Sequence, residues 1–193
     1  MKSVCVFCGS NVGRRRAYAE AARAVGATLA ARGLGLVYGG GRVGLMGIVA
    51  DTVLAAGGRA VGVIPRALVA REVGHAGLTE LHVVETMHER KARMADLADA
   101  FVALPGGFGT LEEFCEVITW SQLGIHPKPC GLLNVEGYYD PLLALFDRAV
   151  EEGFLPPMHR AIVIDDTEPG RLLERLEAFR PPDTRKWIGL EER

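Results

Sequence analysis

The stretch Pro105-Gly106-Gly107-Phe108-Gly109-Thr110-Leu111-Glu112-Glu113 sets three glycines shortly before two adjacent carboxylates. It follows the short apolar run Ala100–Leu104, which predicts a buried strand, and precedes Phe114–Trp120, which reads as a helix. The glycines therefore fall where a strand hands over to a helix N-terminus. Unpaired backbone N–H groups and the positive end of the helix dipole favour an anion there, most often a phosphate. Glycine lets the backbone turn tightly and approach that anion closely. The order of residues matches neither the Walker pattern nor the dinucleotide fingerprint. What it adds is Glu112 and Glu113 one turn into the same helix, which points to chemistry on a phosphorylated substrate. The structural alternative is a capping box, in which Thr110 and Glu113 satisfy the helix start with no ligand involved.

A second cluster lies in Glu85-Thr86-Met87-His88-Glu89-Arg90-Lys91-Ala92-Arg93-Met94, after the predicted strand Leu81–Val84. Helical spacing puts Met87, Arg90, Lys91 and Met94 on one face. Two cations among apolar residues in the first turns of a helix oppose its dipole, which an anionic ligand would explain. A solvated pair is the plainer reading. A second glycine-rich turn, Gly39-Gly40-Gly41 with Gly44 and Gly47, follows the strand Leu34–Tyr38. Gly9 and Ser10 offer a turn and a hydroxyl after the strand Lys2–Phe7. Cys5 and Cys8 match C-x-x-C, but on a strand they point to opposite faces. All four cysteines (Cys5, Cys8, Cys115, Cys130) read as small core residues. The five histidines show no metal-ligand spacing.

The elements that position these residues alternate from end to end. Further strands are expected at Ala60–Ile64, Cys130–Asn134 and Ala161–Ile164. Helices are expected at Arg14–Arg32, Ile48–Ala56, Thr86–Ala98, from the glycine motif to Leu123, at Tyr138–Glu152 and at Pro169–Phe179. Arg66–Gly77 reads as a loop with one helical turn. Strands written as continuous apolar runs belong in a sheet covered on both faces. The fold class is thus α/β: a single Rossmann-like, doubly wound domain over residues 1–180, with a mostly parallel sheet of about seven strands flanked by helices. A polar tail, 181–193, follows. Ligands of such sheets bind beyond the carboxyl ends of the strands, where every glycine-rich segment falls. A length of 193 residues suits one domain, and a net charge of −2 supplies no global field for nucleic acid or membrane. With no signal peptide and no spanning stretch in the sequence, the expectation is cytoplasmic.

Met87-His88-Glu89-Arg90-Lys91 taken with the Pro105–Glu113 motif resembles the LONELY GUY (LOG) family, the cytokinin riboside 5′-monophosphate phosphoribohydrolases. The resemblance extends through Cys8-Gly9-Ser10, Tyr38–Gly41, Gly44–Gly47, Ile118–Trp120, Gly124–His126 and Gly137–Tyr139. It implies a Rossmann-like subunit, a homodimer and no cofactor. The implied activity is hydrolysis of the N-glycosidic bond of an N6-modified adenosine 5′-monophosphate, giving free base and ribose 5-phosphate. The resemblance places catalytic roles on Arg90 and Glu113, and substrate contacts on Lys91, on Gly106, Gly107, Phe108, Gly109 and Thr110, and on Thr119. Glu112, Ser10, Gly40, Gly41 and Met46 complete the candidate contact set. Phe108 departs from the tyrosine usual in plant members. In Arg66–Leu78 a substrate-contacting glutamate of those members has no counterpart. In the expected mechanism Glu113 stabilises an oxocarbenium-like ribose and directs a water, with Glu116 near enough to assist. Arg90 either clamps the leaving base or holds Glu113 and the ribose. The competing functions are a nucleotide or cofactor carrier without hydrolase activity, and a general AMP nucleosidase. A pyridoxal-dependent lysine decarboxylase, another label given to the family, finds no setting for its lysine.

Overall fold

The computed structural model describes residues 1–69 and 74–182. Among the described residues seven strands form one sheet: β1 (Ser3–Phe7), β2 (Gly35–Tyr38), β3 (Ala60–Pro65), β4 (Glu80–Val84), β5 (Ala100–Ala103), β6 (Cys130–Leu133) and β7 (Val163–Asp166). Their order is β4-β3-β2-β1-β5-β6-β7, and each pairing is parallel. The helices are α1 (Arg16–Ala31), α2 (Gly44–Ala55), α3 (Arg66–Val69), α4 (Met87–Leu97), α5 (Phe108–Gln122), α6 (Asp140–Glu151), α7 (Pro157–Arg160) and α8 (Pro169–Ala178). This is the expected doubly wound α/β architecture. The winding direction reverses beside β1, whose neighbours are β2 and β5.

The alternation of strand side chains divides the core in two. Val4, Val6, Leu36 and Val102 pack against α1, α2 and α8 on one face. Cys5, Phe7, Val37 and Phe101 pack against α4 and α5 on the other. Cys5 and Cys8 accordingly lie in different cores and are both free thiols. Cys115 is only half-buried on α5, so it is not the core residue expected of it.

Five elements differ from their sequence-based expectation. Helix α2 begins at Gly44, four residues before Ile48; Gly44 itself takes φ +62° against the backbone of Ser10, where a Cβ has no room. Strand β7 ends in Asp165 and Asp166, since pairing with Leu132 and Leu133 of β6 sets its bounds, not hydropathy. The residues before β7 form the short helix α7, which was not expected. Strand β4 is an edge strand whose Leu81 and Val83 are exposed, so its apolar run does not signify two covered faces. Helix α6 starts at Asp140 because Glu136 (φ 49°) and Gly137 (φ 72°) hold a separate 3-10 turn before it. In the stretch Arg66–Gly77 the one helical turn is α3, and residues 70–73 lie outside the described residues. Most of the proposed tail, 183–193, lies outside them too. Among the described residues no helix is long and apolar enough to cross a membrane.

Candidate active site

The loops after β1 and β5 meet where the winding reverses, as expected for ligand sites in sheets of this kind. Gly9 N donates to Pro105 O at 3.1 Å, joining the two loops. A Cβ on Gly106 would lie 2.9 Å from Gly9 N and run into the Thr110 side chain, so only glycine fits that junction. Helix α5 begins at Phe108 with Gly107 as its N-cap, and among the described residues no side chain caps it. Thr110 therefore sits inside the first turn, 3% exposed, and Glu113 lies a turn further on. The capping-box alternative is thereby removed: Thr110 is not the cap. The first amides of α5 are left without intrahelical acceptors, as at any helix start, and here they border a cleft.

That cleft has a volume of about 330 Å³. The loop Cys8–Ser10 and the start of α5 (Gly107–Thr110, Glu112, Glu113) form two of its walls, and Met46, Leu68, Met87 and Arg90 complete it. Arg90 is 6% exposed although it stands in the first turn of α4. Its helix is started by Thr86, whose hydroxyl accepts from Glu89 N at 3.1 Å, as Thr86 and Glu89 predict. Arg90 Nη2 lies 3.9 Å from Glu113 Oε1 and 3.5 Å from Gly39 O, while Nη1 lies 3.8 Å from Met87 Sδ. Its Nε is buried and makes no hydrogen bond among the described residues. Guanidinium stays protonated throughout the working pH range. The cleft thus holds a desolvated cation with long, incomplete contacts beside a carboxylate that is itself only 13% exposed. The charge of Glu113 reaches the floor: burial first, then Glu113, pushes the Cys8 thiol far above its ordinary range.

The other candidates are placed as follows. Ser10, Met46, Gly107, Phe108, Gly109, Thr110 and Glu112 line the cleft, with the Phe108 ring exposed at its rim. Gly106 lies just behind, lining a neighbouring hollow of about 210 Å³. Lys91 is not among the lining residues. Its ammonium bonds Glu112 at 2.5 Å and Glu116 at 3.0 Å, tying α4 to α5. Thr119 is exposed two turns further along α5 and donates to Cys115 O at 2.7 Å. Gly40 and Gly41 are buried under β3 and the segment near Gly74, and His88 is exposed. Sequence reasoning did not single out Cys8, Gly9, Leu68 or Met87 as cleft-lining, nor Gly39 as the glycine that makes room for Arg90. A Cβ on Gly39 would run into that guanidinium. The doubled tyrosine Tyr138-Tyr139, at the end of the resemblance, was a visible signal whose use was not: both hydroxyls reach back to the β5 loop.

The described residues do not fit pyridoxal phosphate. A Schiff-base lysine must lose its proton readily. Burial alone would lower the Lys91 pKa, but the hydrogen bonds of Glu112 and Glu116 outweigh it and hold it above the ordinary value. Lys2 and Lys128 do not line the cleft either, and Lys128 is bound to Ala95 O at 2.7 Å.

Known proteins resemble this chain in sequence and in fold. A family model described as "Possible lysine decarboxylase" matches residues 46–176. A "Probable cytokinin riboside 5'-monophosphate phosphoribohydrolase" of Oryza sativa subsp. japonica is 55% identical over 176 residues, 91% of this chain and 79% of its own. A cytokinin riboside 5′-monophosphate phosphoribohydrolase of Arabidopsis thaliana is 53% identical over 180 residues, 93% of this chain and 83% of its own. Among solved structures, the molybdenum cofactor binding protein of Rippkaea orientalis superposes with a TM-score of 0.69 at 20% identity. That match covers 92% of this chain and 97% of the other, and at such identity it bears on the fold alone. With identities above one half to relatives so named, over nearly its whole length, the chain belongs to the LONELY GUY (LOG) family.

Proposed function

We propose that the protein hydrolyses the N-glycosidic bond of adenosine 5′-monophosphates carrying an N6 substituent, releasing the free base and ribose 5-phosphate. The observation that carries this reading is the Arg90–Glu113 pair, 3.9 Å apart and buried in the same cleft as the uncapped start of α5. The names of relatives more than half identical to the chain support it. The 5′-phosphate binds at Gly106–Thr110, where amides and helix dipole meet it. Anchoring there turns remote binding energy into placement of the anomeric carbon next to Glu113. As the C–N bond breaks, its electron pair leaves with the base and positive charge grows on the ribose. The Glu113 carboxylate offsets that charge and takes the proton of the water that attacks the anomeric carbon; the departing base anion takes up one proton from solvent, and Glu113 returns its own to solvent. Arg90 stays charged and acts as an electrostatic clamp on Glu113 and the developing anion. Met46, Leu68 and Met87 give the cleft an apolar wall suited to a base bearing a hydrocarbon substituent. The working unit is a homodimer in the cytoplasm.

The test is release of free base from AMP and from N6-isopentenyl-AMP at equal concentration, followed by chromatography. Faster release from the substituted nucleotide is expected. Equal rates would make the protein a general AMP nucleosidase, and no release from either would leave a binding protein.

A further inference from the structure

We infer that Tyr138 is a positioning residue for the phosphate-binding loop. The inference rests on the reading above for what the loop binds, but not for how the loop is held. Three successive carbonyls after β5 are each engaged by a donor from elsewhere in the chain. The Tyr139 hydroxyl donates to Leu104 O at 2.6 Å, Gly9 N to Pro105 O at 3.1 Å, and the Tyr138 hydroxyl to Gly106 O at 2.6 Å. Every peptide bond among the described residues is trans. In a trans peptide the N–H points opposite the C=O. Holding Gly106 O toward Tyr138 therefore aims the Gly107 N–H the other way, at the start of the series of amides proposed to receive the phosphate. Glycine resists no such rotation by itself, so an unheld Gly106-Gly107 peptide would sample many orientations.

The two tyrosines serve different ends. Tyr139 is 1% exposed, so its hydroxyl needs a partner whatever the function. Tyr138 is 39% exposed and has water within reach, yet its hydroxyl is turned onto a loop carbonyl. Its ring is fixed for that purpose edge-on to Tyr18 at 5.8 Å and to Tyr139 at 5.1 Å. Behind it, Asn134 accepts from Tyr139 N at 2.8 Å and donates to Asp140 at 2.7 Å. Arg15 bonds Glu136 at 2.7 Å, so the start of α1 braces the same turn.

Tyr138→Phe removes one exposed oxygen and leaves the ring packing in place. Two measurements on the full chain test the inference. First, hydrogen exchange of the peptide spanning 104–111 in the ligand-free protein should quicken in Tyr138→Phe, with the melting temperature unchanged. Second, calorimetric affinity for ribose 5-phosphate should fall about fivefold, the size of one lost hydrogen bond, while affinity for adenine is kept. Unchanged exchange and unchanged ribose 5-phosphate affinity would overturn the inference. So would a parallel loss of both affinities together with a lower melting temperature, which would make Tyr138 merely structural. Wild-type protein that binds no ribose 5-phosphate would instead overturn the reading of the loop, whatever exchange shows about the clamp.

Discussion

Two charge pairs stand beyond the carboxyl ends of the strands, one after β7 and one beside the β1–β5 crevice, and they are built in opposite ways. At β7, Asp166 accepts from Arg171 Nη2 at 2.8 Å and from Glu168 N at 2.9 Å, and Arg175 approaches to 3.6 Å. The arginines there are more than half exposed. At the crevice, Arg90 is buried, and among the described residues its nearest carboxylate oxygen is 3.9 Å away and its Nε has no hydrogen bond. A satisfied pair at the surface ties a helix to a strand. A buried cation with incomplete contacts raises the energy of the empty fold, because desolvation is not fully offset. A ligand oxygen brought into the cleft relieves that cost, so the deficit at Arg90 favours binding and the fullness at Asp166 does not.

The largest expected effect lies at the crevice. Glu113→Gln keeps shape and volume but removes the charge that meets the oxocarbenium-like ribose. Base release should fall by about a thousandfold, the scale of a lost electrostatic catalytic group, with little change in melting temperature. Turnover within tenfold of the wild type would show that the pair beside α5 is no more catalytic than the one beside β7.

Gly39→Ala probes the same pair without substituting either partner. Gly39 does not require a positive φ, so alanine is acceptable to the backbone, but its Cβ would occupy the place of the Arg90 guanidinium. Base release should drop by about 10- to 100-fold as Arg90 is displaced by an ångström or more. An alanine variant of normal activity would mean that Arg90 need not lie where the free cleft holds it.

How much of this was legible in the chain varies with the range of the cause. The start of α5 was legible because an apolar run followed by Gly-Gly-Phe-Gly is a local signal. So was the Thr86 cap, set by Glu89 three residues on. The burial of Arg90 was half legible, as a cation on a face shared with Met94. Why Gly39 must be glycine was not, since the reason is a side chain 51 residues away. The same holds for Tyr138, whose partner lies 32 residues back. Hydropathy misread β4, because Leu81 and Val83 have the pattern of a covered strand and only the sheet order makes them an edge. The Thr110–Glu113 spacing fits a capping box, but the helix starts three residues earlier than that motif requires.

Lys91 falls between the two kinds of pair, being well bonded yet next to the cleft. The resemblance expects it on the substrate, whereas its bonds to Glu112 and Glu116 make it a strut between α4 and α5. Lys91→Ala separates the two. A strut predicts a melting temperature lower by several degrees and base release reduced only several-fold, because Glu112 and Glu116 then repel across the gap. A substrate contact predicts a large rise in KM at nearly constant melting temperature.

The smallest effect should be at β7, where stability alone is at stake. Hydrogen bonds from Arg171, aided by the Glu168 and Thr167 amides, outweigh burial and pull the Asp166 carboxyl from its ordinary value down to about 2. A carboxyl depressed in the folded state stabilises the fold above its unfolded pKa and loses that contribution as pH falls toward the folded one. Asp166→Asn should therefore lower the melting temperature by about 2–4 °C at pH 7, a modest figure because exposed arginines are screened by solvent. The gap between variant and wild type should then close as pH falls from about 4 to about 2, with base release at pH 7 unaffected. A gap that persists to pH 2 would place the role of Asp166 in packing. Lost activity would tie the β7 edge to the crevice, and the division between an exposed, structural pair and a buried, working one would fail.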